Sequence, residues 1–340
     1  MNEFQLLKAI FARVSDPNPQ TSIAGIAQLA KAVELPIQKA VFPGDIFSDL
    51  FKVDPRKLTD SPVYRRDLIA PGSEKDFYAY PVPHFGEMGQ RVLVAREGVR
   101  VPTFEKSNAV DLYLRDIELE DFDSVARALE ILEAGIVMDM NDVCWSAVVA
   151  AAAGRNRMYF DDRVVPGRVS KRLLTSLQIG MRRSAGGNGT SMFKFKLGRL
   201  YMSPELRADL VNLTNADLDD VTRQTIVMTD EGKIGGLLGL EFRDLDELGV
   251  SQKYQNYFTN NLSGSFTGTA YTLNTTNYNK AEILIGVDTG KTDKMVLPVT
   301  RKPTVYEDLT QHRAGLFSLY ARYEYGAAVL DNRVTVMGAA

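Results

Sequence analysis

The chain has 340 residues and a mass of 37.7 kDa, which exceeds the usual size of one domain and predicts two or more lobes. Its residues are 45% apolar and 24% charged, which is the composition of a globular protein with a sizeable core and excludes a disordered chain. The formal net charge of −3 provides no overall field that would hold a polyanion, so a dedicated nucleic-acid binder is not expected.

The small number of cysteines and histidines limits the chemistry that the chain can perform. Cys144 is the only cysteine, so no disulfide can form within the chain and a reducing compartment is favoured. A zinc site would have to rely on carboxylates, because His84 and His312 are the only imidazoles, and we expect no metal. The longest apolar run, residues 147–153, is too short to cross a bilayer, and no membrane contact is expected.

Residues 1–45 predict an arm rather than a domain. Phe4, Leu7 and Phe11 fall at helical spacing, two prolines interrupt the pattern, and a second short helical stretch follows. Two short helices around a proline-rich hinge cannot bury much of their own surface. The arm therefore needs another surface to lie on.

Residues 61–107 predict a long β-hairpin. Two strand-like stretches flank a tip, residues 70–90, that is rich in proline, glycine and aromatic side chains. An isolated two-stranded ribbon is marginally stable in water, so this one is expected to pack against another surface. The alternative is an ordinary sheet edge that folds back on its own domain.

The strongest periodic signal predicts one long helix. Apolar residues from Phe122 to Ala151 recur every three or four positions, and acidic residues precede them, where the helix dipole favours negative charge. Such a helix would be about 50 Å long. Residues 109–119 alternate as a strand does, so a strand is expected to lead into this spine helix, with Cys144 and Trp145 in the core.

The remaining residues predict a mixed α/β block. Helices are expected at residues 169–184 and 204–213, the second capped by Ser203, and strands at residues 193–201, 237–242, 281–287 and 295–299. A strand that ends near Met337 is expected to dock into a sheet. Residues 253–280 contain six Asn, six Thr and four Tyr but no acidic residue, which predicts a polar hairpin or loop insertion at a surface.

Charge is distributed unevenly along the chain. Residues 111–142 contain two basic and ten acidic side chains, residues 151–200 contain eleven basic and two acidic, and residues 203–250 contain four basic and eleven acidic. This alternation indicates either solvated helix surfaces or complementary patches that meet between copies of the chain.

Residues 286–292 resemble two kinds of catalytic or binding motif. The glycine spacing is wrong for a phosphate-binding loop, and the following residues predict a strand rather than the required helix. The run Asp288-Thr289-Gly290 resembles an aspartic-protease loop but supplies only one carboxylate, so a tight strand turn is favoured. We predict no catalytic residue, metal site or cofactor.

The order of these segments resembles that of the tailed-phage major capsid protein, the Hong Kong 97-type fold that encapsulin shells share. Residues 320–331, an aromatic and charged strand followed by Gly, small apolar residues and a turn, resemble the ending of that family. The resemblance implies an α+β fold with an N-terminal arm at 1–45, an extended hairpin called the E-loop at 61–107, and an A-domain at 166–299 that carries the polar insertion 253–280. It also implies a P-domain, formed by residues 108–165 and 300–340, that contains the spine helix.

The resemblance further implies a protein without enzymatic activity that assembles as hexamers and pentamers into an icosahedral shell around double-stranded DNA. It would be made in the host cytoplasm and reside in the virion. The chain has no room for an N-terminal scaffolding extension, so scaffolding would come from a separate protein or from none, and a separate scaffolding or decoration protein is a candidate partner. Lys75 and Lys106 are cross-linking candidates by location only. An encapsulin-like compartment and, from another class, an Asp-Thr-Gly hydrolase remain the alternatives.

The expected subunit interface consists of apolar and charged residues of the hairpin and the arm. These are Arg65, Arg66, Lys75, Phe77, Tyr78, Tyr80, Phe85, Arg91, Phe4, Leu7 and Phe11.

Overall fold

The computed structural model describes residues 50–57, 62–65, 98–113, 115, 122–155, 157–159, 161, 168–184, 195–211, 239–262, 282–308 and 316–340. Its strands are β1 (Lys52–Pro55), β2 (Val63–Arg65), β3 (Gly98–Arg100), β4 (Phe104–Tyr113), β5 (Met158–Tyr159), β6 (Arg199–Met202), β7 (Glu241–Asp244), β8 (Ile283–Val287), β9 (Met295–Asp308), β10 (Leu316–Tyr325), β11 (Ala328–Val329) and β12 (Thr335–Ala339). Its α-helices are α1 (Phe122–Ala153), α2 (Lys171–Arg183), α3 (Pro204–Val211) and α4 (Lys253–Tyr257).

The chain divides into two compact units, which are described separately. The first contains Met1–Pro62, Arg100–Cys144 and Val296–Ala328, and the second contains Val63–Val99, Trp145–Met295 and Val329–Ala340. The division falls inside α1, whereas the predicted domain scheme places the whole helix in one domain. That scheme remains a prediction.

The first unit is built on a sheet with the strand order β1-β9-β10-β4, and β11 also pairs with β9. The central strand, β10, runs antiparallel to both neighbours. The alternate residues Leu319, Ala321 and Tyr323 lie on one face of this strand and are buried. The predicted strand 109–119 is present but shifted, because β10 pairs with every residue of β4 from Phe104 to Tyr113. Residues 104–107, assigned to the hairpin from the sequence, therefore belong to this sheet.

The long helix predicted from the sequence is confirmed as α1, with 32 residues. In the first unit, Leu132, Ile136 and Met140 lie four residues apart and are at most 1% exposed. Asn108 of β4 donates a hydrogen bond from Nδ2 to the carbonyl of Leu132, at 3.2 Å, and so ties the helix to the sheet. The apolar period thus marks the face that packs against strands.

The second unit is built on a sheet with the order β5-β12-β8-β6-β7. Strand β12 lies between β5 and β8, which confirms that the last strand docks into a sheet. All five residues of both β8 and β12 are buried, and all of them except Thr335 are apolar. The strands predicted at 193–201 and 237–242 begin later, at Arg199 and Glu241, where the parallel β6–β7 pairing starts.

The two helices predicted in the second unit are confirmed, together with the cap predicted at Ser203. Ser170 caps α2 by accepting a hydrogen bond from the Leu173 amide at 3.0 Å, and Ser203 caps α3 by accepting from the Leu206 amide at 3.2 Å. Both hydroxyls satisfy donors that the first helical turn leaves unpaired. Helix α2 then buries one apolar face, which includes Leu177, against β12.

The prediction of a polar hairpin or loop over residues 253–280 is wrong for its first ten residues. These residues form α4 and a π-helical turn, Phe258–Leu262. Tyr254 and Phe258 lie four residues apart and are at most 1% exposed, so the segment turns an apolar face inward despite its polar composition. Residues 263–280 lie outside the described part of the chain.

Part of α1, Glu130–Ala153, is long and apolar enough to cross a membrane by length and composition alone. A core helix of a water-soluble protein passes the same test, and 44% of the most apolar window is buried inside the protein. The expectation of no membrane contact therefore stays a prediction.

Candidate functional site

The base of the predicted hairpin is present as a pair of short strands. Strand β2, which ends at Arg65, pairs with β3, so the ends of the intervening segment 66–97 are held together. The strands approach closely, since a Cβ atom on Gly98 would lie 2.3 Å from Cγ1 of Val63. The other predicted interface residues lie outside the described ranges: Arg66, Lys75, Phe77, Tyr78, Tyr80, Phe85, Arg91, Phe4, Leu7 and Phe11.

A half-buried polar cluster links α1 to the sheet of the first unit. The Asp139 carboxylate accepts hydrogen bonds from the hydroxyls of Tyr325 at 2.7 Å and Tyr323 at 3.2 Å. It also pairs with Nζ of Lys106 at 2.6 Å, and that ammonium donates to the Tyr325 hydroxyl at 3.2 Å. Burial first, and the Asp139 carboxylate second, raise the pKa of both tyrosines well above the usual range.

This cluster engages the ammonium of Lys106, one of the two candidates for cross-linking. Its ammonium is held by Asp139 and Tyr325, and a protonated, ion-paired amine is a poor nucleophile. Lys106 thus has partners within its own unit, and Lys75 lies outside the described residues, so cross-linking through either lysine stays a prediction. Sequence reasoning missed this cluster, because its members lie on three separate elements, α1, β4 and β10, and no pattern within one of them marks the contact.

The opposite face of this sheet carries an aromatic and charged surface. Tyr306 of β9 stacks on Tyr320 of β10 with ring centroids 5.5 Å apart. Beside them, the Glu105 carboxylate of β4 pairs with Arg301 at 2.8 Å and with Arg322 at 2.6 Å. Tyrosine and arginine are enriched in protein–protein contacts, so this open face has the composition of an interaction surface.

The Asp288-Thr289-Gly290 run forms the tight turn expected from the sequence. One oxygen of the Asp288 carboxylate accepts from the Gly290 amide and the other from the Lys196 amide, both at 2.9 Å. The side chain is buried, and the residues after it form a 3₁₀ turn that leads into β9 rather than a helix. Over the described ranges, no three His, Cys, Asp or Glu side chains cluster as metal ligands.

Asp288→Asn tests whether this carboxylate is structural. One amide donor would lose its acceptor, because an asparagine side chain offers one oxygen where two are used, so we expect a loss of about 1–3 kcal/mol in the free energy of unfolding. Urea unfolding measures this loss, and Asp293→Asn, in which 60% of the side chain is exposed, is the control with little expected change. Peptide cleavage by the wild-type protein that disappears in Asp288→Asn would instead establish the hydrolase.

A buried acid directly precedes β8, the central strand of the second unit's sheet. Glu282 is 8% exposed, and its carboxylate accepts a hydrogen bond from the Ser203 hydroxyl that also caps α3. Burial raises the pKa of Glu282, although the Ser203 hydroxyl acts in the opposite direction.

This pKa shift predicts a pH dependence of stability. Because the pKa of Glu282 is higher in the folded than in the unfolded state, the folded protein binds the proton more tightly. The free energy of unfolding should therefore rise as the pH falls through the raised pKa of Glu282. It should level off below the usual pKa of glutamate, about 4.3. Glu282→Gln should remove this contribution, as urea midpoints measured across the pH range would reveal. The exposed control Glu130→Gln should keep it, and equal pH slopes in wild type and Glu282→Gln would contradict the assignment.

Comparison with known proteins places the fold. No family model matches the chain, and no curated protein matches it. The capsid structure of cyanophage Pam1 matches with a TM-score of 0.50 and 11% identity, covering 85% of this chain and 88% of that chain. A structure from Microbacterium phage Oxtober96 matches with a TM-score of 0.49 and 13% identity, covering 85% of this chain and 88% of that chain. The SrpI encapsulin of Synechococcus elongatus PCC 7942 matches with a TM-score of 0.46 and 11% identity, covering 85% of this chain and 84% of that chain.

The chain therefore shares the fold of the capsid structure of cyanophage Pam1. The predicted α+β class and the resemblance to that fold are confirmed. The assignment of individual subdomains stays a prediction.

Proposed function

We propose that this chain is the structural protein of a closed shell: a major capsid protein that assembles in many copies around phage DNA. The observation that carries the proposal is the shared fold with the Pam1 capsid over 85% of the chain. The chemistry agrees, because Asp288, the acid of the one hydrolase-like motif, has both carboxylate oxygens engaged by backbone amides.

The proposal assigns a role to each segment. Residues 1–45 are the arm and residues 61–107 the hairpin, and neighbouring copies order both except for residues 104–107, which belong to the first unit's sheet. Residues 108–165 with 300–340 form the P-domain, and residues 166–299 form the A-domain. The partners are further copies arranged as hexamers and pentamers, the enclosed double-stranded DNA, and a separate scaffolding or decoration protein. The shell is assembled in the host cytoplasm, has no enzymatic activity or cofactor, and resides in the virion.

Imaging the purified full-length chain tests this proposal. We expect negative-stain micrographs to show closed particles, and light scattering to give the mass of many copies. A single-chain mass at every concentration, with no particles in the micrographs, would contradict the proposal. Particles that carry a protein cargo and no nuclease-protected DNA would identify the encapsulin-like alternative.

A further inference from the structure

The second unit has opposite charges at the two ends of one strand pair. Strands β6 and β7 run parallel, so the residues before them share one end of the sheet and the residues after them share the other. Lys196 lies before β6, together with the end of α2, whereas the start of α3 and the loop after β7 lie beyond the other end. The four residues of β6 and their flanks separate these ends by more than about 10 Å. That distance exceeds a Debye length at physiological salt, so charges at the two ends do not neutralise each other within one copy.

The first of these ends is a basic cleft. A cavity of about 210 Å³ is lined by Arg182 and Lys196 together with Gln178, Leu197 and Gly239. Arg183, also exposed, follows Arg182 at the end of α2. Asp288 at this end is buried and binds two backbone amides, and within the described part of the chain no carboxylate pairs with Arg182, Arg183 or Lys196. We call these three cations the basic cleft.

The other end is an acidic loop. Asp246 and Glu247 are exposed in the loop after β7, and Glu205 is exposed in the first turn of α3. The loop is held in shape, because Leu245 and Leu248 on either side of the two acids are buried. Arg207 at this end is already paired with Asp244, at 2.5 Å, and Lys253 begins the neighbouring helix α4. We call Glu205, Asp246 and Glu247 the acidic loop; even with Lys253 included, it has a net negative charge.

We propose that the acidic loop of one copy docks into the basic cleft of the next copy. This inference rests on the proposed shell function and names one contact that holds neighbouring subunits together. A contact between two different patches of the same chain is head-to-tail, and it repeats from copy to copy until a ring closes. The opposite charges of cleft and loop also disfavour other orientations of the two copies, because cleft-to-cleft and loop-to-loop contacts bring like charges together.

Charge reversal on each side tests the contact. The cleft-reversed variant carries Arg182→Glu and Lys196→Glu, and the loop-reversed variant carries Asp246→Lys and Glu247→Lys. We expect each to reduce the fraction of chain found in particles by about tenfold or more, because like charges then meet at every contact. The matched control, Arg127→Glu with Lys302→Glu, makes the same charge change as the cleft reversal at exposed positions of the first unit and should assemble as the wild type does.

Restoring complementarity should restore assembly. A chain that carries all four substitutions has an acidic cleft and a basic loop, and we expect it to form particles. An equimolar mixture of the two reversed variants should also form mixed hexameric rings, because the two variants then alternate and each cleft meets an oppositely charged loop. A ring of five cannot alternate, so the mixture is not expected to close a shell. Sedimentation and electron microscopy measure both results, and circular dichroism confirms that each variant is folded.

The possible failures separate the two proposals. If the wild type forms no particles, the shell function fails. If the wild type forms particles and both reversed variants assemble as the control does, only this contact is overturned. The contact is also overturned if the combined variant forms no particles and the mixture forms no rings. The assembly rate of the wild type should also fall as salt is raised, which needs no variant, and an assembly rate that salt leaves unchanged would overturn the contact.

Discussion

Trp145→Ala is expected to lower the free energy of unfolding of the second unit by about 3–5 kcal/mol, which is the range for removing a buried tryptophan. Trp145 is 6% exposed, and its ring meets Tyr201 edge-on with centroids 4.7 Å apart. Its ring also lies 6.2 Å from that of Tyr254. Truncation would leave both tyrosine rings facing a cavity that neither can fill.

The measurement is chemical denaturation followed by far-ultraviolet circular dichroism, since Trp145 is the only tryptophan and its fluorescence is lost in the variant. Ile179→Ala is the matched control in the same unit, because Ile179 on α2 is 43% exposed and should cost much less. Equal losses for the two variants would show that the aromatic cluster is not part of the core.

The sequence predicted the features whose signals are local. Helix α1 was predicted from its apolar period, and the start of α3 from Ser203 and Pro204, because helix dipoles and caps act within one or two turns. The strand that becomes β12 was predicted from residues 334–337, which follow the turn at Asp331 and Asn332. These elements obey local rules that their surroundings also favour.

The errors and omissions come from contacts between distant residues. The residues around Tyr254 and Phe258 are mostly polar, so the composition of the segment predicted a surface loop. Both aromatic side chains are nevertheless buried on one face of the helical segment. The extent of β4 follows from its partner β10, which lies about two hundred residues further along the chain. The Asp139 cluster joins side chains 33 and 186 residues apart, and no spacing within one element predicts such a meeting.

Deleting residues 71–89 should leave a folded, soluble subunit that forms no shells. The described sheets and helices of both units are made of other residues, and β2 and β3 still pair, with residues 66–70 and 90–97 to connect them. The deletion removes aromatic side chains that a lone two-stranded ribbon cannot bury by itself, namely Phe77, Tyr78, Tyr80 and Phe85. If neighbouring copies provide the surface for these side chains, the deletion should leave the stability of the subunit unchanged and should prevent assembly.

Two further variants make the test specific. Serine at all four aromatic positions keeps the length of the segment and should also abolish particles, whereas deleting residues 264–279 from the polar insertion should leave particles intact. Circular dichroism and electron microscopy report folding and assembly separately. Normal shells from the 71–89 deletion would mean that the segment folds back on its own subunit, which is the ordinary sheet-edge alternative. Loss of folding would mean the same, because only a segment that packs within its own subunit contributes to that subunit's stability.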